Sequence, residues 1–110
     1  MNFPDFIQAL PTPDSPVRME ARIIPNRYCT PMFYEIDTDV EVPRHAHGAQ
    51  WGVVLDGEME MVIDGVSRTY QRGDTYYVPP GIDHTTRIKA GYRGIDIFAD
   101  PDRYLPKEDA

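Results

Sequence analysis

The sequence predicts an all-β fold, a small β-barrel or jelly roll, on three observations. Eleven prolines and eight glycines in 110 residues interrupt the chain too often for long helices, because proline fixes φ and removes a backbone donor. Between these interruptions, β-branched and aromatic residues alternate with polar ones over short runs, the period of a half-buried strand. Asp56-Gly57 and Asp64-Gly65 then supply two dipeptides that favour primed hairpin turns.

Length and composition bound what such a chain does. At 110 residues there is too little apolar surface for a second core, so one barrel is expected. Hydrophobic residues at 41% and charged residues at 26% place it among folded domains and away from disorder. A formal charge of −7 argues against a nucleic-acid partner, which requires a basic face. Cys29 is the single cysteine; no internal disulfide is available, and a buried thiol is expected. The first residues lack a signal-peptide profile and no apolar run approaches the ~20 residues of a membrane helix. A cytoplasmic protein with no membrane partner is the expectation.

Residues 1–16 read as an N-terminal arm and 17–110 as the barrel. Phe3, Phe6, Ile7 and Leu10 have helical spacing, but Pro4 and Pro11 confine them to a turn or short helix. Pro11, Pro13 and Pro16 make the rest of the arm a linker. Strands are expected at 17–24 and 29–37 with a turn at Pro25-Asn26, then at 50–55, 58–63, 67–71, 75–78, 84–89 and 93–98. The two Asp-Gly turns join the strands from 50 to 71 into an antiparallel meander. Met59, Met61 and Ile63 share one face and read as core; Glu58 and Glu60 take the other, solvated face. Trp51 has the opposite parity to Gln50. With Val53 and Leu55 it marks an apolar outer face, from which a homodimer is expected.

His45 and His47 are two residues apart, which in a strand aims both imidazoles to one side and lets one ion be shared. Gln50 lies at an odd offset and joins them only if a turn or bulge at Gly48-Ala49 restores its direction. His84 follows the rigid Pro79-Pro80-Gly81 turn and reaches the others only through closure of the barrel. In Ile95-Asp96-Ile97-Phe98, alternation puts Asp96 and Phe98 on the inner face and the isoleucines outside.

These residues resemble a family. His45-Ala46-His47, Gln50 and Gly57 are similar to the first cupin motif, and Gly73, Pro79, Gly81 and His84 fit the second, over roughly residues 40–98. The resemblance implies a cupin-type jelly-roll β-barrel that holds one divalent transition metal (Zn, Ni, Mn, Fe or Cu) through His45, His47, Gln50 and His84. Gln50 stands where the family usually has a glutamate, and Ile88 where the second motif often ends in asparagine. A ligand set of three histidines and a neutral glutamine leaves the ion's charge uncompensated, which favours a small anionic substrate.

The ligand set, with Asp96, Phe98 and Arg103, also looks similar to the cupins of pectin and alginate breakdown, which linearise unsaturated uronates. That likeness implies catalytic roles for Asp96 and Arg103. The function expected is therefore carbohydrate metabolism: an isomerase- or lyase-type reaction on a small carboxylated sugar or related organic acid, with the metal as Lewis acid and Asp96 transferring a proton. Two other readings fit the same residues, a non-catalytic small-molecule or metal sensor and a three-histidine dioxygenase.

Overall fold

The computed structural model describes residues 1–107. One short helix, α1 (Asp5–Gln8), precedes nine strands: β1 (Glu20–Ile23), β2 (Thr30–Ile36), β3 (Val40–His45), β4 (Gln50–Asp56), β5 (Glu58–Ile63), β6 (Val66–Gln71), β7 (Thr75–Val78), β8 (His84–Ile88) and β9 (Tyr92–Phe98). They form two antiparallel sheets, β1-β2-β9-β4-β7 and β3-β8-β5-β6, the jelly-roll arrangement in which alternate residues of each strand face an interior between the sheets.

The meander expected between residues 50 and 71 is half right. Asp64 and Gly65 both take positive φ, 50° and 78°, and close a true hairpin between β5 and β6, as a primed turn requires. Asp56-Gly57 is no hairpin, because β4 pairs with β7 and β9 while β5 pairs with β6 and β8. The chain turns a corner there and crosses from one sheet to the other. Gly57 has φ 83°, and a Cβ on it would lie 2.8 Å from the Tyr92 Cα. Both the backbone conformation and the neighbour therefore demand glycine.

Registers stack the inward residues into layers. The first holds Thr30, Phe98, Gln50 and Val78 from one sheet and His45, His84 and Ile63 from the other. One strand repeat further in come Met32, Asp96, Gly52 and Tyr76, facing Val42, Thr86 and Met61. The third holds Tyr34, Gly94 and Val54 opposite Val40, Ile88 and Met59. Met59 and Met61 are each 2% exposed and also border the internal cavity, so they serve as core and as cavity wall together.

The arm docks through Phe3, while Phe6 is exposed. Phe3 is buried against Phe33 with ring centroids 5.7 Å apart, on the outer face of β2. Further along, the arm meets the C-terminal segment: Pro13 bridges Pro106, and the Asp14 N–H donates to the Leu105 carbonyl at 2.8 Å. Cys29 is only partly buried, because it lies in the loop before β2 rather than in the strand expected to contain it. No helix among the described residues is long and apolar enough to cross a membrane.

Candidate metal centre

All four metal-ligand candidates lie in or beside the first interior layer. His45 ends β3 and pairs with His84, which opens β8. Gln50 opens β4. The pleat alone does not place His47: it lies beyond β3, in the 46–49 connection, so backbone contacts fix it. The Gly48 N–H donates to the Asp100 carboxylate at 2.8 Å. The Ala99 N–H donates to the Ala49 carbonyl at 2.7 Å, and the Gly81 N–H to the His47 carbonyl at 2.8 Å. This last bond ties the His47 connection directly to the turn that precedes His84. A Cβ on Gly48 would overlap the Asp100 carboxylate, so glycine is needed for this close approach.

The three imidazoles converge. Ring centroids are 4.2 Å apart for His45–His84, 4.8 Å for His47–His84 and 5.1 Å for His45–His47, and one ligand atom from each lies within 4.8 Å of the others. Each Nδ1 sits on a backbone carbonyl: His45 on Pro43 at 2.9 Å, His47 on Gly48 at 2.7 Å and His84 on Ile82 at 3.0 Å. A carbonyl only accepts, so each Nδ1 carries the proton and each Nε2 is left with a lone pair. Burial lowers the pKa of His47 and His84 below the ordinary histidine value, which further favours the neutral, ligating form. The His47 Nε2 is buried without a hydrogen-bond partner. A buried lone pair that no donor meets, beside two further imidazoles of the same tautomer, suits a cation, and the donor set fits a borderline transition metal.

Gln50 is oriented by Asp96. Its Nε2 donates to the Asp96 Oδ2 at 3.1 Å, and since a carboxylate accepts, the amide oxygen is the end left free for a cation. Asp96 is 4% exposed and takes a second hydrogen bond from the Tyr76 hydroxyl, which lies 3.5 Å from the Tyr34 hydroxyl. Gly52 makes room for this pair, because a Cβ there would overlap both Asp96 and Tyr76. Burial raises the Asp96 pKa to about 6, against the pull of its hydrogen bonds from Tyr76, Tyr34 and Gln50.

Arg103 reaches the same cavity, which has a volume of about 300 Å³ and is also bordered by His45, Gln50, His84 and Asp96. Its guanidinium lies over the Phe98 and Tyr104 rings, 5.5 and 4.6 Å from the centroids, and its Nε is buried without a partner. Two surface arginines are engaged elsewhere: Arg44 pairs with Asp83 at 2.7 Å and Arg87 with Glu41 at 3.2 Å. Sequence reasoning missed Tyr34, Tyr76 and Asp100. One signal was available in Gly52, since a glycine inside a strand marks the close approach of another group.

A cupin-domain family model matches residues 32–91, more than half of the chain. The chain belongs to the cupin family. Similar solved structures include an RmlC-like cupin from Shewanella frigidimarina NCIMB 400, at 26% identity and TM-score 0.74 over 94% of this chain and 93% of that one. KdgF from Halomonas sp. is similar at 19% identity and TM-score 0.69, covering 89% of this cupin and 88% of its own chain. A Bacillus subtilis oxalate decarboxylase variant matches at 16% identity and TM-score 0.72 over 87% of this chain but 29% of its own. These likenesses concern the fold. No curated protein matches this cupin in sequence.

Folding raises the Asp96 pKa, so the folded state holds that proton more tightly than the unfolded chain. The associated stability is complete below the unfolded value of ~3.9, declines as pH rises, and is gone above about 6. Asparagine has no charge to bury. In chelator-treated protein, Asp96→Asn is therefore expected to gain on the wild type by on the order of 3 kcal/mol between about pH 4 and about pH 8, read by urea unfolding. A stability difference that stays flat across that range would contradict burial as the controlling cause.

Proposed function

We propose that this cupin holds one divalent transition metal through His45, His47, His84 and Gln50, and that it acts on a small carboxylated sugar or related organic acid. The observation that carries this reading is the set of three Nδ1–carbonyl bonds, which leaves an Nε2 lone pair on each of three imidazoles whose ligand atoms lie within 4.8 Å of one another. When bound, the ion supplies a Lewis acid that polarises a substrate oxygen. Its ligands are all neutral, so an anionic substrate completes the charge balance. Arg103, with a buried Nε that lacks a partner, is suited to orient a carboxylate. Asp96, with a pKa of about 6, is suited to take and return a proton near neutral pH.

A second reading has an observation in its favour. Both Asp96 oxygens already accept hydrogen bonds, from Tyr76 and from Gln50, as a structural carboxylate would. In that reading Asp96 only orients Gln50, and the cupin is a non-catalytic binder. Metal analysis, followed by a turnover screen of uronic and keto acids on metal-saturated protein, separates the two. The expected result is one ion per chain, lost in His84→Ala, with Asp96→Asn lowering turnover roughly 10²–10⁴-fold at saturating metal. Purified protein that takes up no divalent ion would overturn the metal reading. If Asp96→Asn weakens metal affinity and leaves turnover at saturation unchanged, the proton role fails.

We also propose that this cupin is a homodimer through the outer face of the five-stranded sheet. Pro31, Ile97, Trp51 and Tyr77 stand side by side across β2, β9, β4 and β7. Trp51 is 43% exposed, Tyr77 56% and Ile97 37%. The row carries no charge, and two copies of a −7 chain meet at least cost where neither presents carboxylates. Sedimentation at about 10 µM is expected to give a dimer that Trp51→Glu converts to monomer, by placing two buried charges at the contact. A monomeric wild type would contradict it.

A further inference from the structure

We infer that, of the two substrate classes named above, this site takes the organic acid with an apolar body, aliphatic or aromatic, in preference to a sugar acid with its ring or chain of hydroxyls; this rests on the metal-and-carboxylate reading above. Apart from Thr86, the polar side chains free to meet a ligand gather at one end of the cavity. His45, His84 and Gln50 lie there, with Arg103 beside them, and these groups suit a carboxylate head. Asp96, one layer further in, borders the cavity with both oxygens already engaged by Tyr76 and Gln50. Beyond the histidine layer the cavity is otherwise bordered by Met32, Met59, Met61, Val42, Ile36 and Ile88. From the histidine layer to the layer of Tyr34 and Met59 is two strand repeats, about 13 Å.

Few hydrogen bonds are on offer along that length. The side-chain hydroxyls on the deep wall belong to Thr86, Tyr34 and Tyr76. Tyr76 donates to Asp96 and lies near Tyr34, which leaves Thr86 as the hydroxyl free to serve a ligand. The backbone groups of these strands are engaged in their own ladders. A sugar acid carries a hydroxyl on nearly every carbon, and each one moved from water into such a wall goes unpaired at a cost of about 1–3 kcal/mol. An alkyl or aryl body gains instead from the same transfer. The flexible thioethers of Met32, Met59 and Met61 adapt to its shape.

The test is calorimetry on protein loaded with one equivalent of zinc, titrated with acetate, butanoate, hexanoate and glucuronate at constant ionic strength. Affinity is expected to rise about fourfold per buried methylene through the alkanoate series, and hexanoate to bind at least ~10-fold more tightly than glucuronate. Met61→Gln is expected to flatten that rise without changing zinc affinity. Acetate binding with no gain per methylene, or glucuronate binding more tightly than hexanoate, overturns the inference and leaves the metal-and-carboxylate reading in place. Failure to bind zinc, or zinc binding with no affinity for any acid, overturns that underlying reading and the inference with it.

Discussion

The site depends on three hydrogen bonds that each leave an imidazole one free nitrogen. Because the partners are backbone carbonyls, the tautomer is set by the fold and not by the solvent. The carbonyls belong to Pro43, Gly48 and Ile82, within one or two residues of the histidine each one serves. Placing a histidine therefore also places its partner. What the fold must add is convergence, which comes from the β3–β8 pairing that sets His45 opposite His84 and from the bond between the Gly81 N–H and the His47 carbonyl. Asp100 completes the arrangement by holding the Gly48 N–H from the end of β9.

Behind that layer the interior has to accommodate a buried carboxylate. Asp96 is desolvated, and its pKa rises accordingly, yet it remains next to the site because the Tyr76 hydroxyl and the Gln50 amide meet its oxygens. Gly52 makes this geometry possible by leaving its own side-chain space empty. The arrangement links the first interior layer to the second. In the proposed metal centre, the group suited to moving a proton is also the group that fixes which end of Gln50 a cation would meet, through one hydrogen bond that sequence alone does not show.

The sequence made the individual residues legible more readily than their arrangement. Alternation in residues 95–98 correctly sends Asp96 and Phe98 inward, because one face of β9 is buried throughout. The expectation that Gln50 needs a turn near Gly48-Ala49 also agrees with the structure, where β3 ends at His45 and β4 begins at Gln50. Asp56-Gly57 misleads for a physical reason: the dipeptide encodes a tight reversal with positive φ at Gly57, but whether the strands on either side pair with each other depends on distant strands. Tyr34 and Tyr76 stayed hidden because a buried tyrosine in a strand reads as core. Only its neighbours reveal that its hydroxyl serves a carboxylate.

The protonation pattern of the histidines tests the central claim most directly. Nitrogen-15 NMR of the imidazoles in chelated protein at about pH 8 is predicted to show His45, His47 and His84 as neutral rings with the proton on Nδ1, and one equivalent of zinc to shift all three Nε2 resonances together. Histidines that carry the proton on Nε2, or zinc that shifts fewer than three of them, would contradict a metal centre built from these residues.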